Sequence, residues 1–317
     1  MPAPTSHRAV HRTEIDAPAD RVYALIRDAA EWPRHFTPTV HVERAELDAR
    51  SERLRIWATA NGEVKHWTSH RALDPEGQSV RFRQEVCSPP VAAMSGEWVL
   101  RDLPGGRCEL TLHHTFAAVD DRPEDVEWIT TATDRNSRTE LANIKALAEA
   151  AGSDAELLFS FEDSETVHAP AEAVYAFLAE AGKWPERLPH VSRLDLTEPS
   201  DGVQVMTMVT RANDGSEHTT ESVRVCFPDE LRIVYKQIGT PPLMTLHTGE
   251  WSIRDTGDGL LVTSQHTIRI NESAIPEILG ANATAADARA RVRAAVGGNS
   301  AATLALAKRF AEAPHAA

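Results

Sequence analysis

One long internal repeat constrains this chain more than any other feature. Residues 13–35, TEIDAPADRVYALIRDAAEWPRH, return as 166–190, TVHAPAEAVYAFLAEAGKWPERLPH. Pro18 recurs as Pro170, Tyr23 as Tyr175 and Trp32 as Trp184. Further pairs follow in the same order: SPP at 88–90 with TPP at 240–242, GEWVLRD at 96–102 with GEWSIRD at 249–255, and HHT at 113–115 with QHT at 265–267. Finally NSRTELANIKALAEA from Asn136 meets NSAATLALAKRFAEA from Asn299. The unit is far longer than a solenoid repeat. The chain is therefore expected to fold as one domain twice, over 1–152 and 153–317, joined near Ala151–Asp154. A length of 317 residues suits two ordinary domains.

Each copy shows the same signals. A short strand ends in Ala-Pro, and an amphipathic helix follows, with Val22, Leu25 and Ile26, or Val174, Phe177 and Leu178, on one face. Trp-Pro is expected to break that helix. About six alternating segments follow, with hairpin turns at Pro104-Gly105-Gly106 and Asp258-Gly259. A long helix closes each copy, the first with a stripe of Leu141, Ile144 and Leu147. In the second, Gly297-Gly298 should split the helix, with Asn299 or Ser300 recapping it. The fold class is α+β: two tandem domains, each a curved antiparallel sheet gripping a long C-terminal helix. The shape mismatch between sheet and helix leaves an internal cavity where a ligand would sit.

The strand KHWTSHR, residues 65–71, bears on chemistry. Alternation puts Lys65, Trp67, Ser69 and Arg71 on one face. Trp67 and Leu73 give that face more apolar area, so it is read as the inner one. An inward arginine is costly unless paired or hydrated. Two readings stay open: an ion pair at the sheet's rim, or a cavity cation for carbonyl or enolate oxygens. At an offset of 152 the second copy shows Thr219, Glu221 and Val223 in place of Trp67, Ser69 and Arg71. That alignment gives the second cavity a carboxylate and no arginine. In the flanking strands Phe82 and Val86, Trp98, and His114 face inward, with His266 the partner of His114.

Composition narrows the partners. With 33 basic and 47 acidic residues the formal charge is −14, which disfavours nucleic acid and anionic membranes. No run approaches a membrane span, and MPAPTSHRAV has no signal-peptide core, so a cytoplasmic location is expected. Cys87, Cys108 and Cys226 lack CxxC spacing and read as reduced thiols. No metal is expected: His113 and His114 point to opposite faces. Phosphate-loop, dinucleotide and nucleophile-elbow motifs are absent.

The tandem layout, with AEWPRHF at 30–36, WTSHR at 67–71 and NSRTELANIKALAE at 136–149, resembles the di-domain aromatase/cyclases of bacterial type II polyketide synthases. Each half is similar to the helix-grip, START-like (Bet v 1-like) superfamily. The resemblance implies a cofactor-independent enzyme. It would catalyse first-ring aldol cyclisation and dehydration of a carrier-bound, ketoreduced poly-β-ketone. It also implies an acyl carrier protein as partner, with a minimal synthase and ketoreductase upstream. Arg71 and Ser69 match motif positions that polarise or position substrate, and Trp32 matches the aromatic wall. Single-domain relatives carry a tyrosine seven residues after this tryptophan; here that position is Thr39. The first site is read as Arg71, Ser69 and His114, with Trp32, Thr39, Trp67, Phe82 and Trp98 against substrate. The second is Trp184, Glu221 and His266. Arg21, Arg27, Arg34, Arg53 and Arg55 are candidates for carrier docking. The alternative is a duplicated module that binds or transports an apolar ligand without catalysis.

Overall fold

The computed structural model describes residues 5–150, 154–211, 215 and 217–313. Its contacts divide the chain into two units, Met1–Ala151 and Gly152–Ala317; residues 151–153 of the expected join lie outside the described residues. The first unit runs β1 His7–Ile15, α1 Ala19–Arg27, α2 Trp32–His35, β2 Thr39–Asp48, β3 Ser51–Ala60, β4 Glu63–Asp74, β5 Ser79–Val86, β6 Val91–Leu103, β7 Arg107–Ala118 and α3 Pro123–Glu149. The second opens with a short α4, Asp154–Leu157. It continues with β8 Leu158–Val167, α5 Ala171–Ala179, α6 Trp184–Arg187, β9 Val191–Ser200, β10 Val203–Arg211, β11 Glu217–Phe227, β12 Arg232–Gly239, β13 Met244–Asp255 and β14 Leu260–Ile270. It ends with α7 Ile275–Leu279 and α8 Ala285–Glu312.

Each unit has a seven-stranded sheet, in the orders β1-β7-β6-β5-β4-β3-β2 and β8-β14-β13-β12-β11-β10-β9. Every pairing is antiparallel. Only the first strand pairs out of turn, beside the last. Alternation decides which side is covered. Cys108, Leu110 and Leu112 of β7, with Trp98 and Leu100 of β6, share a core with Val22 and Ile26 of α1 and Leu141, Ile144 and Ala148 of α3. Val174, Phe177 and Leu178 of α5 do the same for the second unit, against Leu304, Ala307 and Ala311 of α8. Val86, expected inside, is 62 % exposed at the end of β5.

Two helix expectations are corrected. Trp-Pro does not break the first helix: α1 has already ended at Arg27, and Trp32-Pro33 opens the separate turn α2. Proline is preorganised for a first helical turn and has no N–H to leave unpaired there. Nor do Gly297-Gly298 split the closing helix. α8 runs unbroken for 28 residues from a capping box at Thr284 and Asp287. A Cβ on Gly297 would lie 1.7 Å from Arg293 Nη1, the side chain that pairs with Asp163 at 2.7 Å. The glycine makes room for a helix-to-strand ion pair, and packing outweighs its poor helix propensity.

Candidate active site

The strand register builds the same inner row of side chains in both units. In the first, Glu52 of β3 lies opposite Arg71 of β4, Arg71 opposite Phe82 of β5, Phe82 opposite Gly96 of β6, and Gly96 opposite His114 of β7. In the second, Gln204, Arg224, Tyr235, Gly249 and His266 occupy the same succession on β10 to β14. The second unit therefore does have the arginine. The two copies of this strand align one residue later than expected, pairing Ser69 with Ser222 and Arg71 with Arg224. Glu221 stands at the place of Thr68, on the outward face, and is exposed. It contributes nothing to an inner site.

Both arginines are clasped alike. Arg71 is 1 % exposed, donates from Nη2 to the Ile26 carbonyl at 2.8 Å, and lies over the Trp32 ring at 4.8 Å. Arg224, also 1 % exposed, donates from Nη2 to the Leu178 carbonyl at 2.6 Å and lies over Trp184 at 4.8 Å. Their counter-groups differ. Arg71 Nη1 is 3.2 Å from Glu52 Oε1, and the other oxygen of Glu52 accepts from Arg44. Arg224 Nη1 instead donates to the neutral Gln204 amide oxygen at 2.8 Å. Burial pulls Arg71 down to about 10, against the pull of Glu52, so it remains cationic at neutral pH. It is neither a rim residue nor free: it is a buried ion pair that also borders a cavity.

That cavity has a volume of about 170 Å³. Its walls include Trp32, Trp67, Ser69, Arg71, Phe82, Trp98 and His114. Thr39 is not among them; it is buried at the start of β2, opposite Ala58, one strand away from this face. A Cβ at Gly96 would come within 2.4 Å of the Phe82 ring. The bare glycine lets that ring lie across the sheet, edge-on to His114 at 5.4 Å. Burial holds His114 near 4, so the imidazole is neutral, and its Nδ1 has no partner.

The residues not anticipated come from the helix. Ile129, Ala132, Thr133, Asn136, Ser137 and Glu140 line the cavity from α3, with Trp128 beside them. Their spacing of i, i+3, i+4, i+7, i+8 and i+11 is one helix face. Glu140 faces the cavity with no cation against it, and burial raises its carboxyl to about 8. It is a neutral acid at pH 7. The signal was present in NSRTEL: polar residues on a helix stripe that ought to be apolar. In the second copy the aligned residue is Thr303. Lys65 also reaches the cavity, with its Nζ 5.3 Å from the Trp128 ring.

The arginines proposed for docking are partly committed elsewhere. Arg21 caps the Ala150 carbonyl at 2.7 Å, Arg34 pairs with Glu31 at 2.7 Å and Arg53 with Glu85 at 2.6 Å. Arg55 lies over Trp57 at 4.9 Å. Among the described residues, no cluster of three or more His, Cys, Asp or Glu side chains could hold a metal ion, and no helix is long and apolar enough to cross a membrane.

A grip domain repeated twice in one chain also appears among known proteins. The family described as "Polyketide cyclase / dehydrase and lipid transport" matches residues 6–149 and again 159–309. The chain belongs to this family, as a di-domain aromatase/cyclase. It is 45 % identical over 305 residues to the granaticin polyketide synthase bifunctional cyclase/dehydratase of Streptomyces violaceoruber, covering 96 % of this chain and 94 % of that one. It is 44 % identical over 315 residues to the actinorhodin counterpart of Streptomyces coelicolor, covering 96 % of each. The crystal structure of the di-domain ARO/CYC BexL of the BE-7585A pathway superposes with a TM-score of 0.85 at 51 % identity, covering 98 % of this chain and all of that one. That of StfQ, from the steffimycin pathway, gives 0.83 at 33 % identity, covering 96 % and 98 %.

Proposed function

We propose that this cyclase/dehydratase of aromatic polyketide biosynthesis closes the first ring of a carrier-bound poly-β-ketone in the cavity of its first domain. The single observation that carries the reading is the pairing of a fixed cation with a neutral carboxylic acid in one aromatic-walled space. A poly-β-ketone has acidic methylenes and needs little activation. It needs one fold, and flat walls of Trp32, Trp67, Phe82 and Trp98 impose it. As the enol carbon attacks the acceptor ketone, charge grows on that ketone's oxygen. Arg71 and Ser69 stabilise it from the sheet. Glu140, protonated because it is buried, delivers the proton that turns the alkoxide into a hydroxyl. His114 is neutral and serves as a hydrogen-bonding wall.

The substrate arrives on an acyl carrier protein, after a minimal synthase and a ketoreductase. The relatives' names support the synthase part of this reading, since they place cyclase/dehydratases within polyketide synthases. The test is a product profile from reconstituted synthase and ketoreductase with wild type, Glu140→Gln and Arg71→Met. Loss of the correctly closed ring in both variants, with spontaneous shunt products in its place, supports the reading. Folded variants that make the wild-type product at the wild-type rate would move ring closure out of this cavity and into the second domain.

A further inference from the structure

The inner row of the second domain keeps the arginine, glycine and histidine of the first but replaces its aromatic residue. Phe82 becomes Tyr235. A Cβ on Gly249 would fall 2.4 Å from the Tyr235 hydroxyl, so the phenol lies directly over that glycine on the inner face. Two residues before the glycine, Met94 of the first domain becomes His247. The phenol oxygen is 2.8 Å from His266 Nδ1 and 3.2 Å from His247 Nε2. His266 Nε2 lies 3.1 Å from Ser264 Oγ. His247 Nε2 is also 3.1 Å from His266 Nδ1, so its N–H is shared between that nitrogen and the Tyr235 oxygen, while Tyr235 O–H donates to His266 Nδ1 and His266 Nε2–H donates to Ser264. Both imidazoles are buried, whereas Tyr235, between them in the chain, is half-buried and is its most accessible aromatic member.

We propose that the second domain holds a second acid–base site, centred on Tyr235, that removes water from a β-hydroxy carbonyl intermediate. The proposal rests on the reading of the first domain as the ring-closing chamber, whose product is such a hydroxyl. The substrate hydroxyl takes the phenolic proton as its C–O bond breaks. The C–H bond on the neighbouring carbon breaks, and its electron pair forms the new C=C bond. Its proton passes to His266 Nδ1 and back to the phenolate. The net change is loss of one water, with no oxidant, reductant or cofactor.

Two further features suit this chemistry. Burial raises the phenol's pKa overall, and Arg224, next in the row and hydrogen-bonded to the neutral Gln204 amide, opposes part of that rise and sits beside the transient phenolate. In the first domain Glu52 offsets the equivalent charge. In addition, Thr220 Oγ1, Gln237 Oε1, Ser300 Oγ and His247 Nδ1 are buried without a hydrogen-bond partner. Thr220 shares a strand face with Ser222 and Arg224, and Gln237 lies opposite Ser222. Here they fit a ligand rich in keto and hydroxyl oxygens.

The test uses the full chain with the reconstituted synthase, quenching during the first turnovers, with Tyr235→Phe and His247→Met. Each puts in the second domain the residue that the first already carries at that place, so both are expected to fold; thermal unfolding checks this. The expected result is a ring-closed product one water heavier, with water loss slowed by about 10-fold or more. Water loss at the wild-type rate in either folded variant overturns the proposal. So does loss of ring closure itself, which would make the cluster part of the first step. Failure of the ring-closure reading shows separately, as a Glu140→Gln protein that still closes the ring.

Discussion

The two halves differ least where the arginine is and most around it. Arg71 and Arg224 share a helix-end carbonyl, an indole face and a strand position. Duplication preserved that clasp, which ties the sheet to the end of the helix before it. What diverged is its surroundings: Glu52 against Gln204, Phe82 against Tyr235, Met94 against His247, Glu140 against Thr303. The arginine alone therefore cannot tell a reaction chamber from a scaffold. The company it keeps does, and the two domains have been fitted with different proton-carrying groups on one frame.

The strongest way to break this comparison is at Glu140. Its replacement by Gln keeps the shape and removes the transferable proton, so ring closure should fall about 10²- to 10⁴-fold. Thr303→Glu should not restore it. The pH profile gives the sign. Glu140 is protonated below about 8, so turnover should hold through neutrality and decline as pH rises past that value. Its raised pKa also costs stability. The favourable term is complete below the carboxyl's unfolded pKa and is lost as pH rises towards 8. Glu140→Gln should therefore be more stable than wild type at pH 7, by on the order of 2–3 kcal/mol, read from urea midpoints.

Next in size is the response to losing each arginine. Arg71→Met leaves the Glu52 carboxylate buried with only Arg44 beside it, at a cost of about 3 kcal/mol or more. Arg224→Met leaves only a neutral amide, at about 1–3 kcal/mol. Hydrogen exchange resolved by domain in the full chain should show the first domain opening more in Arg71→Met than the second does in Arg224→Met. Adding Glu52→Gln to Arg71→Met should recover part of the difference. Equal effects would mean that the carboxylate is irrelevant.

Much of this was legible in the sequence, because the repeat fixes the domain count and the period-2 pattern fixes which strand faces lie inside. The inward placement of Ser69 and Arg71 followed from Trp67 and Leu73. Two things escaped. A one-residue difference between the copies hid Arg224 behind Val223, since alignment by number cannot see an insertion between Trp184 and Ser222. Glu140 hid in a helix motif because burial, not residue type, makes a glutamate an acid, and burial depends on what the sheet places across from it.

Acid should separate the halves by a smaller margin. Burial depresses His247 to about 3 and His266 to about 4, while the first domain's inner row has only His114, near 4. Stability from a neutral buried histidine is complete above its unfolded pKa and is lost as pH falls towards the folded one. Between pH 6 and 4 the second domain should therefore loosen first. Exchange at pH 4.5 tests this, and His247→Met should shift its acid transition to lower pH.

The smallest effect concerns how each closing helix is tied to its first strand. In the first domain His11 of β1 meets Asp134 of α3 at 2.9 Å. In the second the strand position holds the acid, Asp163, and the base is Arg293 of α8, at 2.7 Å. Asp134 aligns with Gly297, so moving the helix charge one turn earlier left a place that must stay empty for the guanidinium to cross. Alanine is better than glycine inside a helix by about 1 kcal/mol. At Gly298, where an added Cβ meets nothing within 4 Å, Gly298→Ala should gain that amount. At Gly297 the same change pushes Arg293 off Asp163, and losing a partly exposed pair worth up to about 1 kcal/mol should cancel the gain. A gain at Gly298 with none at Gly297 would show that the swapped ion pair, not helix propensity, keeps Gly297 bare; equal gains would show that the pair is free to move.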